Sequence, residues 1–540
     1  MMNSLNYNKF KTVLQILDYK YDSTKCELIN ERLKNTGFIK IVIDIFLVYL
    51  NLSNVFTKKH KLNKKIILFK FVAGVTILVY ESSTNLKNIK SINIDYKLNN
   101  DEIFDSVVVG SGPGGSIASL KMVENGENVL MIESGKYFNQ ESIEHHSFDQ
   151  TKLQFANEGM NFCFGNIPMI YAEGETFGGG SEVNSGLYFK LTGHYKKKFL
   201  EISEINEEEW NTAEKLVENI LSVQNSPNLE NTKIKSALIE GSKKNDNITF
   251  DEVPRWRKYE PLEESQTMQV TYLKKARDLG LKIICNSSVV GIIPGKEYIE
   301  INMLKDNSSS TIKTKKVILS AGTVGTPKIL KKSGLLKESV SFNFHPMLRC
   351  VVDYGEYVND GDLFPPFMSW TNDYKHKFAY SVSTYPYIKA TLAATGHYDM
   401  NINPQNFASY YSSTVFEESK GKILYFKNKS FPFIYVKKKD RKKIKEGFVL
   451  LKKILNDGGI KELWPKSDFS PMTAVHIFGS LPLNMSKNIG KNGELNSDSR
   501  IKICDASLLP IAPWGNTQAV VMVLNEILMD RWIKQIAKES

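Results

Sequence analysis

Three glycines and one glutamate have the spacing of a dinucleotide-binding site. The glycines Gly110, Gly112 and Gly115 form a G-x-G-x-x-G pattern, and Glu133 follows eighteen positions after the last of them. The first glycine permits a tight turn, the second lets the backbone approach a pyrophosphate, and the third lets a helix pack closely on a sheet. A carboxylate at this distance can accept hydrogen bonds from both ribose hydroxyls of an adenosine. These residues therefore predict an adenine dinucleotide without a 2′-phosphate.

The flanking sequence predicts the elements that would position these residues. An apolar β-branched run, Val107–Val109, leads into the first glycine, and a second apolar run, Val129–Ile132, ends immediately before Glu133. The stretch between them is helical in character, so the segment reads as strand, helix and strand. Phosphates would then lie at the helix N-terminus, where unpaired N–H groups favour an anion. A glycine pattern alone also occurs in ordinary turns, but the ordered elements favour the nucleotide site.

Four further segments carry residue types suited to holding a cofactor or moving a proton. In the first, three consecutive glycines, Gly178 to Gly180, precede Asn184, and such a run allows close backbone approach to a ring or a phosphate. The second contains Val289 in V-V-G-I, and the third contains Ala321 and Gly322 after an apolar strand. The fourth contains three short motifs: His476 in H-I-F-G-S, Asp505 and Ala506 in D-A-S-L-L-P, and Asn516 in W-G-N-T-Q.

Together, these segments resemble the glucose–methanol–choline (GMC) oxidoreductase family, and within it the branch of long-chain alcohol oxidases and cholesterol-oxidase-like enzymes. The similarity spans roughly residues 103–535 and rests on the order and spacing of the motifs. It implies an FAD-dependent alcohol oxidase or alcohol dehydrogenase acting on CH–OH groups. The implied FAD contacts are Gly110, Gly112, Gly115, Glu133, Gly179, Gly180, Asn184, Val289, Ala321, Gly322, Asp505, Ala506 and Asn516.

His476 and Asn516 match the family's active-site pair. The resemblance implies transfer of a hydride from an alcohol to flavin N5, with His476 as the base that removes the hydroxyl proton. Asn516 would donate a hydrogen bond to the substrate oxygen as it gains negative charge. Some family members attach the flavin through a histidine at the position of Val183, so non-covalent FAD is expected here. His345, in Phe-His-Pro, is interpreted as a packing residue.

The resemblance favours an apolar, long-chain or sterol-like alcohol, with O2 or a membrane or quinone-type carrier as the electron acceptor. Two features depart from the family pattern: Leu481–Asn484 follows the histidine motif, and Glu182 lies in the glycine loop. Three alternatives stay open. One is a non-catalytic flavin-binding or electron-transfer scaffold, the second is an NAD-dependent dehydrogenase that uses only the first motif, and the third is a light-driven or decarboxylating relative with the same fold.

The order of patterns predicts an α/β chain, α+β overall. Because 540 residues exceed one ordinary domain, more than one domain is expected. A Rossmann-like FAD-binding domain is interleaved with a mainly antiparallel β-sheet substrate domain, after a small helical N-terminal segment. The antiparallel sheet is expected from short aromatic runs such as Phe378–Tyr387 and Lys422–Tyr435. The boundaries are 1–100 for the N-terminal segment, 101–190, 270–340 and 470–540 for the FAD-binding domain, and 191–269 and 341–469 for the substrate or cap domain.

Charge and cysteine content limit the partners. The net charge is +11, and residues 1–100 contain 16 Lys and Arg against 7 Asp and Glu. Without a nucleic-acid motif, this surplus does not indicate DNA or RNA binding, but it leaves peripheral membrane contact open. The apolar stretches 39–50 and 66–80 are shorter than a spanning helix and are interpreted as buried helices. Five scattered cysteines predict no disulfide framework or metal site, and the absence of a signal-peptide pattern favours a cytoplasmic protein.

Overall fold

The structure is a computed structural model that describes residues 89–99 and 101–539, with gaps at 146, 160, 168, 228–231, 262, 307, 359–366, 382–386, 398–401 and 427–428. Before residue 89 it describes only Val13, Glu27, Ala73, Gly74, Thr76 and Ile77. The predicted apolar stretch 39–50 and most of 66–80 therefore lie outside the described residues. Within the described part of the chain, no helix is both long and apolar enough to cross a membrane.

The described helices are α1 Pro113–Glu124, α2 Phe148–Gln154, α3 Gly193–Ser203, α4 Glu207–Ile220, α5 Lys233–Lys243, α6 Tyr272–Asp278, α7 Gly322–Lys332, α8 Tyr387–Thr395, α9 Lys438–Asp457 and α10 Thr517–Glu539. The strands are β1 Ile103–Val109, β2 Val129–Ile132, β3 Asn161–Gly165, β4 Met169–Tyr171, β5 Val223–Gln224, β6 Ile248–Glu252, β7 Arg255–Lys258, β8 Glu264–Ser265, β9 Lys282–Ile284, β10 Ser287–Pro294, β11 Ile299–Lys305, β12 Ser308–Leu319, β13 Val340–Asp353, β14 Phe367–Thr371, β15 His376–Ser381, β16 Phe407–Thr414, β17 Gly421–Phe426, β18 Lys429–Ile434, β19 Leu463–Trp464, β20 Met472–Phe478, β21 Glu494–Leu495 and β22 Asp498–Ile503.

The first sheet contains the predicted nucleotide-binding unit. Its strands run in the order β10-β11-β12-β1-β2-β9, with β22 against β12 and β21 against β22. Strand β1 pairs in parallel with both β2 and β12, and β12 pairs in parallel with β22. Both faces of the short strand β2 are buried, as its continuous apolar sequence predicts for a central parallel strand. The carboxyl ends of β1, β2 and β12 therefore meet at one edge, next to the start of α1.

The second sheet is mainly antiparallel. Its order is β17-β18-β3-β4-β20-β13-β16-β15-β14-β6, and β17 also pairs with β13, so part of the sheet closes on itself. The predicted Rossmann-like unit beside a mainly antiparallel sheet is thus confirmed. The division into domains remains a proposal. Strands β3, β4 and β20 fall within sequence ranges assigned to the FAD-binding domain, but they pair in the second sheet.

One local detail differs from the predicted pattern. The aromatic run expected to continue as strand to Tyr387 ends as β15 at Ser381, and Tyr387 begins helix α8. In the N-terminal segment, the described residues Ala73, Gly74, Thr76 and Ile77 are helical and buried. A Cβ on Gly74 would lie 3.1 Å from the carbonyl oxygen of Ala390, so Gly74 packs against helix α8.

Candidate active site

One cavity of about 1170 Å³ brings the predicted site residues together. Its wall includes the ends of β1, β2 and β12 from the first sheet and parts of β13, β15, β16 and β20 from the second. Every predicted site residue lines it except one: Gly110, Gly112, Glu133, Gly179, Gly180, Asn184, Val289, Ala321, Gly322, His476, Asp505, Ala506 and Asn516. The exception is Gly115, which lies inside α1.

The glycines of the first motif have the geometry that a close nucleotide contact requires. Gly110 has a φ of +98°, in the left-handed region that favours glycine. A Cβ on Gly115 would lie 1.9 Å from the carbonyl oxygen of Gly110, so only glycine lets α1 pack here. By contrast, a Cβ on Gly112 or Gly180 would meet nothing within 4 Å. These two positions leave open space at the cavity wall beside the α1 N-terminus, which fits the pyrophosphate of FAD.

Glu133 lies at the end of β2 and is held by the glycine turn. One of its carboxylate oxygens accepts a hydrogen bond from the Ser111 backbone N–H at 2.8 Å, and the other accepts from the Gly135 N–H at 2.7 Å. Burial raises the pKa of Glu133, while these hydrogen bonds act in the opposite direction. The carboxylate is thus fixed at the cavity wall, where its position fits a ribose.

Asp505 joins two segments that are distant in sequence. Its carboxylate accepts hydrogen bonds from the Gly322 N–H at 2.9 Å and from the Ser507 N–H at 2.8 Å. A second link connects the glycine loop to the last helix, since the Asn184 side-chain amide donates to the Gln518 side chain at 2.6 Å. These bonds hold the loops around one cavity, although their residues come from four separate parts of the chain.

His476, on β20, contacts a second histidine. Its Nδ1 lies 3.1 Å from Nδ1 of His345 on β13, and Nε2 of His345 lies 2.7 Å from the carbonyl oxygen of Pro513. A carbonyl can only accept, so His345 carries its proton on Nε2 and its Nδ1 is an acceptor. His476 must then donate from Nδ1, which leaves its Nε2 with a lone pair. His345 is therefore more than a packing residue, because it links β20 to the segment that leads to Asn516.

Lys377, on β15, acts electrostatically on both histidines. It is buried, and its Nζ donates to the Trp514 carbonyl oxygen at 3.2 Å. Burial lowers the pKa of Lys377 to about 7. Burial, and to a smaller extent Lys377, lowers the pKa of His476 to about 3, and the same two causes lower that of His345. Both imidazoles are thus neutral at physiological pH.

The unusual Glu182 of the glycine loop does not line the cavity. Its side chain is buried against Gly178, and one oxygen accepts a hydrogen bond from Gln140 at 3.3 Å. Burial raises the pKa of Glu182 to about 7. Among the described residues, no cluster of His, Cys, Asp and Glu has the arrangement of a metal site.

Two cavity residues on the second sheet carried no sequence signal. Lys377 and Arg349 occupy alternate positions of strands, a pattern equally typical of solvent-facing side chains. Only the pairing of the strands around the cavity shows that they face inward. Glu173 also lines the cavity, but it follows the short strand β4, and no local sequence pattern marks it as a cavity residue. Its pKa is raised to about 7, mainly by burial.

Comparisons with known proteins agree with this architecture. A family profile described as GMC oxidoreductase matches residues 104–348. An uncharacterized GMC-type oxidoreductase of Sinorhizobium fredii is 21% identical over 470 residues, which cover 78% of this chain and 92% of that protein. A long-chain-alcohol oxidase of Arabidopsis thaliana is 33% identical over 104 residues, 19% of this chain and 14% of that protein.

Among solved structures, pyridoxine 4-oxidase from Mesorbium loti has the same fold. The TM-score is 0.63 at 13% identity, and the alignment covers 80% of this chain and 99% of that one. The parallel sheet and the glycine-lined cavity are features that flavoprotein oxidoreductases of this fold share. Residues 104–348 match the GMC oxidoreductase family, and GMC-type proteins are among the relatives of the chain. Members of this family bind FAD and oxidise alcohols or similar small molecules, passing electrons to an acceptor such as O2.

Proposed function

We propose that this chain oxidises a primary or secondary alcohol with non-covalently bound FAD, and that His476 is the base. The observation that carries the proposal is the hydrogen-bond chain from His476 through His345 to the Pro513 carbonyl. It fixes the histidine in the tautomer whose Nε2 can accept a proton. No hydrogen bond joins this nitrogen to another described residue, and His476 lines the cavity.

The chain of hydrogen bonds also supports the protonated state that the reaction would produce. When Nε2 takes the hydroxyl proton, Nδ1–H of His476 still donates to His345, and His345 still donates to the Pro513 carbonyl. With a pKa near 3, His476 is too weak a base to ionise an alcohol alone. Proton transfer is therefore expected to accompany cleavage of the carbinol C–H bond.

Asn516 is proposed to orient the alcohol. It directly precedes α10 and lines the same cavity, and none of the described residues forms a hydrogen bond with its side chain. Its amide is thus available to donate to a substrate oxygen that gains negative charge. His345 and Lys377 hold the carbonyls of Pro513 and Trp514, so the Asn516 segment is tied to the same sheet as the base.

FAD would be held by the backbone around Gly112 and Gly180, by Glu133, and by Asp505 with Ala506. When bound, its isoalloxazine ring supplies the acceptor for the two electrons that leave the carbinol carbon. Val183 offers no side chain for a covalent flavin bond, which supports non-covalent attachment. Peripheral membrane contact through the basic N-terminal segment stays a prediction, and co-sedimentation with anionic vesicles would test it.

The test is anaerobic reduction of the flavin by alcohols in the wild type, His476→Ala and His476→Gln. Both variants should retain FAD but reduce it roughly 10²-fold more slowly or worse, because neither offers an imidazole Nε2. His397→Ala is a matched control, since His397 stacks on Trp464 and does not line the cavity. Unchanged reduction in both His476 variants would contradict the proposal.

A further inference from the structure

The cavity face of the second sheet carries three successive rows of side chains. His345, Met347 and Arg349 alternate along β13, and all three line the cavity. Strand register places Met347 opposite Thr473 and Ser413, and Ser413 opposite Lys377. Arg349 pairs with Tyr411 one row further on. The rows therefore lead from the proposed base, through a partly polar middle, to an arginine.

Arg349 has no anionic partner among the described residues. Its guanidinium lies over the Tyr411 ring at 5.5 Å and forms no hydrogen bond with the described residues, while its backbone N–H donates to the Ser470 hydroxyl at 2.8 Å. Arg349 is half-buried, and arginine is always charged, so its guanidinium at the cavity wall is available to an anionic ligand. Carboxylates such as Glu173 line the same cavity, but among the described residues none forms an ion pair with Arg349, so its five N–H donors stay available.

The surroundings of Arg349 also suit a polar ligand. The hydroxyls of Ser413 and Thr473 in the middle row are buried and form no hydrogen bond with any residue that the structure describes. Arg441 lines the same cavity, is exposed, and lies over Phe469, the neighbour of Ser470. Between the base and Arg349 the wall includes apolar side chains, such as Met347 and Ile170. A ligand with an apolar middle and an anionic end would match these features.

The separation of the two ends sets the length of such a ligand. His345 and Arg349 are four residues apart on one strand, which corresponds to about 13 Å between their Cα atoms. An alcohol that reaches both ends must therefore be elongated, with the anion at the end opposite to the hydroxyl.

We propose that the substrate is an ω-hydroxy carboxylate, a chain with a terminal alcohol at His476 and a carboxylate bound by Arg349. The planar guanidinium matches a carboxylate through two parallel hydrogen bonds. This inference rests on the proposed alcohol oxidation and narrows the expected apolar alcohol to an amphiphilic one. Lys377 stands in the middle row, opposite Ser413, and its ammonium already donates to the Trp514 carbonyl oxygen near Asn516, so Arg349 is the cation assigned to the far end.

The first test measures binding to the wild-type holoprotein, by the change in flavin absorbance and by calorimetry. The probes are a saturated fatty carboxylate and its primary amide of equal length, neither of which has an alcohol to oxidise. We expect the carboxylate to bind roughly 10- to 100-fold more tightly. Arg349→Met should abolish this preference, Arg349→Lys should keep part of it, and Arg500→Gln, which removes an arginine outside the cavity, should keep all of it.

Equal binding of amide and carboxylate by the wild type would overturn the inference, and so would a preference that persists in Arg349→Met. If Arg349→Met loses FAD, the inference is judged on the wild type and Arg349→Lys alone, by whether each binds the carboxylate more tightly than the amide. A second test compares flavin reduction by ω-hydroxy carboxylates of increasing length with reduction by 1-alkanols. Equal efficiency would refute the carboxylate site but leave alcohol oxidation standing. Carboxylate binding without reduction by any alcohol would refute the proposed oxidation but keep the anion site.

Discussion

Replacement of His345 by alanine should slow the chemical step without removing any residue proposed to touch the substrate. In the native chain, Nδ1–H of His476 donates to His345 across 3.1 Å. Without that acceptor, a buried N–H is unpaired at a cost of about 1–3 kcal/mol. The imidazole can then adopt the other tautomer, in which the cavity-facing nitrogen is protonated and cannot act as a base. The expected loss is roughly 5- to 150-fold in the rate of flavin reduction.

The assay is anaerobic stopped-flow reduction at saturating alcohol, so that kcat-type effects are separated from binding. His345→Gln is the informative partner variant, because its amide has both an acceptor for His476 and a donor for the Pro513 carbonyl. It should recover much of the rate. His376→Ala controls for loss of a buried imidazole, since His376 lies on β15 but not at the cavity wall. Equal rates in His345→Ala and wild type, or equal loss in His376→Ala, would refute the reasoning.

Three further predictions concern two glycines at the α1 N-terminus, the buried Glu182, and the attachment of the flavin. Gly112→Ala should fold normally but bind FAD more weakly, because the added Cβ would point into the open space proposed for the cofactor. Gly114→Ala should instead lose stability, because its Cβ would lie 1.7 Å from the Cys504 carbonyl oxygen. Melting temperature and FAD content distinguish the two variants, and identical behaviour would contradict the proposed FAD site at Gly112. Burial raises the pKa of Glu182 from 4.5 to about 7, so its stabilising proton is fully bound below pH 4.5 and lost as the pH rises through 7. Glu182→Gln should therefore be relatively more stable than wild type at pH 8 than at pH 5, and an unchanged difference in melting temperature would contradict this. Acid precipitation should release yellow FAD into the supernatant, whereas colour retained in the pellet would indicate a covalent bond.

The parts of the site that sequence predicts well are those whose contacts are local. The G-x-G-x-x-G turn is such a case, because Gly110 and Gly115 contact each other within one strand–turn–helix unit. Gly114 is equally restricted, but its neighbour is Cys504, 390 residues later in the chain. No local pattern marks a glycine whose constraint comes from so distant a backbone atom.

The second sheet explains why the substrate side was harder to predict. Alternation along a strand shows that two faces differ, but it does not say which face meets water. Lys377 and Arg349 therefore resemble surface residues until β13, β15 and β16 are placed beside the cavity. Strand β3 pairs with β18 across some 270 residues, which no short pattern can reveal. Likewise, the alanines near Ala390 form helix α8, where the preceding aromatic run suggested a strand.

The most direct test of the account is the visible absorption spectrum of the purified protein before and after anaerobic addition of alcohols. The panel should include 1-alkanols, ω-hydroxy carboxylates, sterols and aromatic alcohols. The account predicts flavin bands that bleach with an elongated alcohol in the wild type and persist in His476→Ala. A colourless protein that cannot be reconstituted with FAD, or a yellow protein that no alcohol bleaches, would contradict it.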